Sequence, residues 1–314
     1  MHGTPGYPDM EKFSGKTVLV TGGTGFIGTL LVSALINNCD VLVLSRNKKV
    51  KGVRTIQADI TRLADLEKSL KRTDIDLVFH VAGNTITPHH TSDLDHFSVN
   101  SLGTKNILEL SVRKDVEHVV YSSSIEVYGD PVSLPVTEEH PTIPHSFYGI
   151  SKWSGEHYCA EFFRQHGLKF TSLRYSYVYG PQLPEFRVIS RFIHNMLDNM
   201  PLVLNNGGKS TTDYIYVKDV VTANILAAGN KKSFSQVFNI GSGVETSVED
   251  LANALVKIMG KGTLQHMPED PDLIRRFSLD ISKAKRRLGF SPFYSLREGL
   301  KEQVKYMTLD RSKK

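Results

Sequence analysis

Apolar runs alternate with longer amphipathic segments between residues 17 and 174. The runs are short and rich in Val, Ile and Leu, which is typical of strands that are covered on both faces. The segments between them carry apolar residues at helical spacing. This alternation predicts a parallel sheet flanked by helices, with strands at 17–21, 40–44, 53–57, 77–80, 118–122 and 169–174 and helices at 26–37, 61–71, 93–114 and 146–165.

The regular alternation ends after residue 174. Pro and Gly residues, with an Asn- and Gly-rich stretch at 205–208, divide the following chain into shorter pieces, which predicts a smaller mixed α/β lobe. Segments 214–228 and 237–240 are predicted to return to the first sheet as a helix and a strand. We therefore expect an α/β fold of the Rossmann type, a doubly wound parallel sheet, with a dinucleotide-binding domain at 1–175 joined by 213–240 and a substrate lobe at 176–212 and 241–314.

The composition is that of a globular protein, with 40% hydrophobic and 23% charged residues among 314. No run reaches the roughly 18 apolar residues of a membrane span, and Pro and Gly occupy the start of the chain where a signal peptide is apolar. We expect a cytoplasmic protein without a membrane partner. Cys39 and Cys159 are too few for a disulfide framework or a zinc site, and we interpret both as packing residues.

The charge pattern indicates which classes of partner the protein is expected to bind. The net charge is +5, but the basic residues are scattered, which favours a solvated surface over a nucleic-acid partner. A mildly positive protein suits an anionic substrate or a phosphate-bearing cofactor. No metal is expected, because the histidines lack the paired helical spacing of a metal site: His89, His90, His96, His140 and His145.

A glycine-rich loop, TGGTGFIG at 21–28, follows the first predicted strand and opens the first predicted helix. Its glycines allow a tight turn, a close backbone approach to a pyrophosphate and close packing of helix on strand, with the helix N-terminus directed at the phosphates. The loop is therefore predicted to bind a dinucleotide through Gly22, Thr24, Gly25, Phe26, Ile27 and Gly28.

The end of the second strand bears on the choice between NAD and NADP. An acidic residue there accepts hydrogen bonds from the ribose, whereas a basic residue tolerates a 2′-phosphate. This chain has Ser45 and Arg46 and no carboxylate, so NADP is favoured over NAD. Asp59, with Ile60 beside it, follows the third strand and is expected to bind the adenine amino group.

A serine, a tyrosine and a lysine are spaced for proton transfer. Ser124 lies at the end of the fifth strand, and Tyr148 and Lys152 share one face of the following helix. A lysine ammonium near a phenol favours the phenolate and is expected to lower the pKa of Tyr148, which then exchanges a proton with a substrate hydroxyl.

These motifs resemble those of the extended short-chain dehydrogenases, a family that contains the sugar-nucleotide epimerases and dehydratases. The similarity spans nearly the whole chain, and the motifs keep the order and spacing of the family. They are TGGTGFIG (21–28), VNSLGT (99–104), SSSIEVYG (122–129), YGISK (148–152), LRY (173–175), VYGP (178–181), DYIYVKDV (213–220), FNIGSG (238–243) and DISKA (280–284).

The resemblance implies roles for individual residues. Ser124, Tyr148 and Lys152 match the catalytic set of the family, and Lys152 would also hold the nicotinamide ribose. Asn100 matches an asparagine of the cofactor-side motif. The resemblance also implies a homodimer joined through the helices at 93–114 and 146–165. Further residues expected at the cofactor are Val81, Ala82, Gly83, Tyr175 and Val178.

The chain departs from the family where substrates are distinguished. Ile125 cannot donate a proton, so a dehydratase would lack one acid, while Glu126 remains a candidate acid or base. Tyr177 stands in place of an asparagine, and Thr212 and Asp270 in place of two arginines that bind the substrate diphosphate. Either other cations replace them or the substrate has no diphosphate. Expected substrate contacts are Ser124, Tyr177, Arg187, Lys209 and Arg275, with Arg191 and Arg276 as further candidate cations.

Three functions remain open from the sequence. The first is a sugar-nucleotide epimerase, in which transient oxidation to a keto sugar is followed by reduction on the other face. The second is an NADPH-dependent reductase of a ketone or keto sugar. The third, a dinucleotide-binding protein without chemistry, is disfavoured because such proteins typically lack the Tyr148 and Lys152 pair.

Overall fold

A computed structural model describes residues 7, 8, 10–85 and 93–312 of the chain. Its main feature is a sheet of seven strands, all parallel, in the order β3-β2-β1-β4-β5-β6-β10. Since the order reverses on either side of β1, the sheet is doubly wound. The strands are β1 Thr17–Thr21, β2 Asp40–Ser45, β3 Arg54–Gln57, β4 Leu77–His80, β5 His118–Ser124, β6 Phe170–Tyr175 and β10 Gln236–Ile240.

Helices cover both faces of this sheet. One face packs with α1 and α7 around Val20, Leu31 and Val221, and the other packs with α2, α4 and α5 around Leu19, Leu66 and Ile107. Burial on both faces explains why the strands read as continuous apolar runs. The helices are α1 Phe26–Leu35, α2 Leu63–Leu70, α3 Asp93–Asp95, α4 Gly103–Arg113, α5 Phe147–His166 and α7 Val217–Ala228.

The fifth strand continues two residues beyond the predicted end. Ser123 and Ser124 pair in register with Arg174 and Tyr175 of β6, and all three serines at the end of β5 are buried. Serine side chains are short, and their hydroxyl groups can form hydrogen bonds inside the protein. Polar residues therefore extend a strand that the apolar pattern predicts to end at Ser122.

The predicted helix at 93–114 is not continuous. It begins with α3, widens into a π-helix at His96–Leu102 and continues as α4. Within the wide turn, the Asn100 carbonyl accepts a hydrogen bond from the Thr104 hydroxyl, and the Asn100 side chain bonds outside the helix. Periodicity alone does not reveal such a turn, and π-turns are frequent at functional sites.

A smaller sheet forms the second part of the molecule, as predicted. Strand β9 pairs with β7 in parallel and with β11 in antiparallel fashion, and β8 and β12 form a separate parallel pair. Its core includes Tyr179, Phe192 and Leu255. The elements are β7 Tyr177–Tyr179, α6 Val188–Leu197, β8 Leu202–Leu204, β9 Thr211–Tyr216, β11 Glu245–Ser247, α8 Val248–Met259, β12 Leu264–His266, α9 Ser282–Leu288 and α10 Leu296–Arg311.

The chain passes three times between the two sheets, first from β6 into β7. After β9 it returns as α7, which packs on α1, and as β10, which pairs with β6 from Gln236 to Ile240. It then enters β11 of the smaller sheet. The α/β architecture predicted from the sequence, a doubly wound sheet with a smaller mixed lobe, is confirmed. Across the described ranges, no helix has the length and apolar character of a bilayer span.

Candidate active site

The glycine loop lies between β1 and α1. Gly22 has a φ of +71°, a conformation that favours glycine, and a Cβ on it would lie 2.7 Å from the backbone nitrogen of Ala82. A Cβ on Gly28 would collide with the Gly22 carbonyl. Both positions therefore require glycine, one for the turn and the other for close packing of α1 on the loop.

The N-terminus of α1 opens into a cavity beside this loop. Its N-cap, Gly25, offers no side chain to the first-turn N–H groups, so these groups and the positive end of the helix dipole suit a phosphate. The cavity has a volume of about 470 Å³. It is lined by Gly22, Thr24, Gly25, Phe26, Ile27, Gly28, Ser45, Arg46, Asp59, Ile60, Val81, Ala82 and Gly83, all predicted cofactor residues.

Seven further lining residues escaped the sequence argument. Leu44 belongs to β2, and the others follow the ends of β2, β3 and β4 or come from the π-helix. Finding them requires knowing which strand ends are neighbours. The seven residues are Leu44, Asn47, Lys48, Ala58, Asn84, Thr85 and Val99.

The residues at the ends of β2 and β3 form one end of the cavity. Ser45 accepts a hydrogen bond from the backbone of Lys48 at 3.2 Å, and Asp59 Oδ1 accepts two from Thr61, each of 2.9 Å. Arg46 lines this cavity and also a second one of about 580 Å³ beside α2. The end of β2 therefore presents the guanidinium of Arg46 at the place where an acidic residue would favour NAD.

Asn100 and Lys152 meet at Gly83, at the other end of the cavity. A Cβ on Gly83 would lie 3.0 Å from Lys152 Nζ and 3.1 Å from Asn100 Oδ1. Asn100 accepts a hydrogen bond from the Asn84 backbone at 2.7 Å and donates to Ser151 on α5 at 2.9 Å. It thereby ties the loop after β4 to the helix that carries Tyr148 and Lys152.

Tyr148 and Lys152 project from the first two turns of α5, where the Ser146 side chain caps the helix by accepting from the Gly149 N–H. Lys152 Nζ donates to the Ser122 carbonyl at 2.8 Å and lies 6.0 Å from the centre of the Tyr148 ring. Burial lowers the pKa of Lys152 to about 8, against the opposing charge of Glu156. The ammonium is therefore close to losing its proton.

The pKa of Tyr148 moves in the direction opposite to the one expected. Burial raises it to about 12, although a hydrogen bond with Ser124 and the charge of Arg187 lower it. The neighbouring ammonium alone would lower this pKa, but desolvation of the buried ring has the larger effect. Tyr148 thus rests as a neutral phenol beside Ser124.

Glu126 lies next to this centre. Its backbone N–H donates to Ser124 Oγ at 3.2 Å, and its carboxylate accepts from the Ser146 hydroxyl at 3.4 Å. The Glu126 charge contributes to the raised pKa of Tyr148. The structure therefore brings Ser124, Glu126, Tyr148 and Lys152 together.

Five predicted cofactor residues lie outside the cavity lining: Asn100, Tyr148 and Lys152, whose contacts are given above, and Tyr175 and Val178. The Tyr175 hydroxyl donates to Asn224 at 3.0 Å and lies 3.1 Å from Ser122 Oγ, inside the core beneath the serines. Val178 packs between the cores of the two sheets. Tyr175 and Val178 support neighbouring groups rather than border the cavity.

The predicted substrate residues differ in their surroundings. The Arg187 guanidinium lies 5.8 Å from the centre of the Tyr177 ring, and its charge lowers the pKa of Tyr148. The Tyr177 hydroxyl is buried, and burial raises its pKa while the Arg187 charge lowers it. Lys209 is paired with Glu269 at 2.7 Å.

Two other candidate cations are also paired. Arg275 forms an ion pair with Asp130 at 3.1 Å, at the edge of a cavity of about 610 Å³. Arg276 forms an ion pair with Glu245. Among the described residues, Arg187 and Arg191 have no acidic partner in an ion pair, so they are the candidate cations left for an anionic substrate.

The histidines are dispersed. His89 and His90 lie outside the described residues, and His96, His140 and His145 belong to different local networks. No group of three or more possible metal ligands occurs in the described part of the chain.

Known proteins share this arrangement. Residues 18–241 match the model of the NAD dependent epimerase/dehydratase family, and the chain belongs to that family. The UDP-glucose 4-epimerase of Mycolicibacterium smegmatis is 30% identical over 312 residues, which cover 92% of this chain and 97% of that protein.

Solved structures agree with the sequence match. UDP-glucose 4-epimerase from Thermotoga maritima, solved with UDP-glucose, has a TM-score of 0.83 at 34% identity and covers 94% of this chain and 99% of that one. UDP-glucuronic acid 4-epimerase from Bacillus cereus, solved with UDP-glucuronic acid and NAD, has a TM-score of 0.84 at 30% identity, with 93% and 99% coverage.

These matches confirm the class that the sequence predicts. The protein is an NAD(P)-dependent enzyme of the extended short-chain dehydrogenase type, and its relatives include sugar-nucleotide epimerases. The hypothesis of a dinucleotide-binding protein without chemistry is thereby set aside.

Proposed function

We propose that this enzyme is a UDP-sugar 4-epimerase, which inverts the C4 hydroxyl by oxidation to the keto sugar and reduction from the other face. One observation carries the proposal: Ser124, Tyr148 and Lys152 meet beside the dinucleotide cavity in a chain that is 34% identical to an epimerase solved with UDP-glucose.

The residues divide the proton chemistry between them. Tyr148, neutral at rest, must first release its own proton to solvent, and the Lys152 ammonium stabilises the phenolate that results. The phenolate then accepts the proton of the C4 hydroxyl and later returns it, and Ser124 orients the same oxygen. A bound nicotinamide dinucleotide supplies the reversible hydride acceptor. Because the hydride is returned in every cycle, no cofactor is consumed.

The surroundings of Ser124 favour epimerisation over dehydration. Ile125 packs against the apolar cluster around Val127 and has no acidic proton. A dehydratase needs an acid to expel water from the sugar. Of the two residues that follow Ser124, Glu126 alone has an acidic side chain. We therefore place the lone carboxylate of Glu126 beside the substrate without assigning it an expulsion step.

Arg187 and Tyr177 are the proposed contacts for the anionic part of the substrate. Arg187 has no acidic partner in an ion pair among the described residues, and the Tyr177 ring lies beside its guanidinium. A guanidinium binds phosphate or carboxylate in a bidentate manner. Lys209 and Arg275 stay in the proposed set, but each would have to exchange its present carboxylate partner for the substrate.

The preference for NADP also belongs to the proposal. Arg46 borders two cavities at the end of β2, where a carboxylate would repel a 2′-phosphate. Arg46→Ala is expected to weaken NADP binding at least tenfold and NAD binding much less, as measured by titration of the dinucleotides. Equal weakening of both would contradict the preference.

Arg46 is also compatible with a second function, that of a reductase. An NADPH-dependent reductase of a ketone or keto sugar needs a 2′-phosphate site, which Arg46 can provide. Such an enzyme consumes NADPH, whereas an epimerase does not.

A homodimer and a cytoplasmic location complete the proposal. Large apolar side chains are exposed on the π-helix and on α5, among them Phe97 (59%) and Phe147 (58%). A second copy would cover this surface. Sedimentation should show a dimer for the wild type and a monomer for Phe97→Asp, and a wild-type monomer would contradict the assembly.

The activity is tested with purified protein, NAD or NADP, and a panel of UDP-sugars that includes UDP-glucose and UDP-glucuronic acid. Chromatography of the C4 epimers should show an equilibrium mixture from at least one sugar, with no net change in reduced nicotinamide absorbance. Absence of any epimer, or steady loss of NADPH with a keto sugar, would overturn the epimerase proposal.

A further inference from the structure

A third ionisable residue follows Tyr148 and Lys152 on α5. Glu156 lies four residues after Lys152, as Lys152 lies four after Tyr148, so the three side chains share one face of the helix. Glu156 is 7% exposed. A carboxylate that is buried to this degree normally has a charged partner.

Glu156 is held by both strands that it faces. Its Oε1 accepts from the Ser123 hydroxyl of β5 at 2.6 Å and from Arg174 Nε of β6 at 2.9 Å. Its Oε2 accepts from Arg174 Nη2 at 2.7 Å. The bidentate pair is buried, with both side chains 7% exposed, and fixes α5 against the ends of β5 and β6.

The other titratable groups around Lys152 and Glu156 are uncharged near neutral pH. His80 of β4 has its pKa lowered to about 3 by burial and by Lys152, so its imidazole is neutral. Burial raises the pKa of Tyr121 on β5, whose ring lies 5.2 Å from Lys152 Nζ, and of Cys159 on α5. Tyr148 itself is neutral at rest.

The far side of Arg174 has its own groups. The guanidinium lies 4.7 Å from the ring centre of Tyr128, whose pKa burial raises to about 12. Lys283 and Glu138 face each other beyond it, and burial lowers the pKa of Lys283 and raises that of Glu138. The charge that acts on Lys152 is therefore that of Glu156, and Glu156 is paired with Arg174.

We propose that Glu156 is a positioning residue that keeps Lys152 protonated during the reaction, and that Arg174 sets how strongly it does so by pairing with the same carboxylate. The inference rests on the proposed function only in that Lys152 must be charged to stabilise the Tyr148 phenolate.

Glu156 acts on Lys152 directly, and Arg174 enters through the Glu156 carboxylate that it binds. Burial lowers the pKa of Lys152, and Glu156 is the group that raises it. Glu156→Gln removes the attraction and is expected to lower this pKa, whereas Arg174→Gln leaves the Glu156 charge unpaired and is expected to raise it. By Coulomb's law at a protein-like dielectric constant, each shift is on the order of one pH unit. A loss of packing alone would not produce shifts of opposite sign.

The experiment compares the wild type with Glu156→Gln, Arg174→Gln and the double variant. Lys152 is titrated by NMR of protein labelled at the lysine Cε carbons, and its signal is identified by its absence in Lys152→Arg. The alkaline limb of kcat/KM against pH should move down in Glu156→Gln, up in Arg174→Gln, and lie between them in the double variant.

Two controls separate charge from packing. Ser123→Ala removes a hydrogen bond to Glu156 without a charge and should leave the titration in place. Glu161→Gln removes one member of the exposed pair between Arg164 and Glu161 on the same helix and should also have no effect. Unchanged titration in both charge variants, shifts of the same sign, or an equal shift in Glu161→Gln would overturn the proposal.

The NMR titration needs no substrate. If every UDP-sugar fails while Lys152 shifts in opposite directions, the proposed function is wrong and the electrostatic inference stands. If Glu156→Gln does not fold, an upward shift in Arg174→Gln still supports the inference, and a downward or absent shift overturns it.

Discussion

Replacing Lys152 with methionine should make the protein more stable and inactive. Lys152 is 4% exposed, and its pKa falls from 10.5 to about 8 because burial penalises the charged form more than Glu156 stabilises it. A lowered lysine pKa means that the protonated form of Lys152 destabilises the folded state. The difference is about 2.5 units, at roughly 1.4 kcal/mol each, so the cost is about 3 kcal/mol.

The sign of the pH dependence follows from proton counts. Between pH 8 and 10.5 the unfolded chain holds the Lys152 proton and the folded protein does not, so this residue makes stability rise with pH in that window. Below pH 8 both states are protonated and the full cost remains. Lys152→Met should therefore gain up to about 3 kcal/mol at pH 7, and the gain should shrink towards pH 10.5.

Urea denaturation of the cofactor-free protein at several pH values measures this difference. Tyrosines with raised pKa values also titrate in the alkaline range, but they are common to both proteins and cancel in the comparison. Lys301→Met, an exposed lysine on α10, is the matched control and should change stability by less than about 0.5 kcal/mol. A Lys152→Met protein that is less stable than the wild type at pH 7 would refute the reasoning.

Three further predictions test other parts of the molecule. Tyr148→Phe should lower kcat at least about 100-fold and leave dinucleotide affinity unchanged, because only the proton-transfer oxygen is lost; near-normal turnover would contradict the assignment. Gly155→Ala should cost about 1–3 kcal/mol in urea denaturation, since its Cβ would collide with the Tyr121 ring, whose Cζ lies 2.6 Å away. Burial raises the pKa of Asp219 to about 6, so its contribution to stability increases as pH falls through 6 towards 3.8; thermal melting of Asp219→Asn should lack this dependence.

The sequence determines the larger sheet well because burial on both faces leaves a strong apolar signal. Strands β1 and β4 begin and end as predicted, and the glycine loop lies between β1 and α1 as its spacing requires. Strand β5 is longer than predicted, because Ser123 and Ser124 are polar yet buried. A pattern of apolar positions has no means of recognising polar residues that are satisfied by hydrogen bonds.

The smaller sheet and the electrostatics are harder to predict. Strands β7, β8, β11 and β12 have three residues each, too few for any periodicity to emerge. The direction of the Tyr148 pKa depends on how completely the ring is desolvated, and the junction of Gly83, Asn100 and Lys152 depends on three separate elements. Such properties follow from packing in three dimensions.

The return of the chain through α7 and β10 has a consequence for how this enzyme can be altered. A polypeptide ending at Tyr175 would lose the partner of β6 and expose Phe170 and Leu173 at a bare sheet edge, inviting aggregation. The lobe proposed to recognise the sugar therefore cannot be exchanged as one continuous segment. An exchange with a homologue would have to replace two separate stretches at once, so point substitutions around Arg187, the proposed substrate contact, are the simpler route to a new specificity.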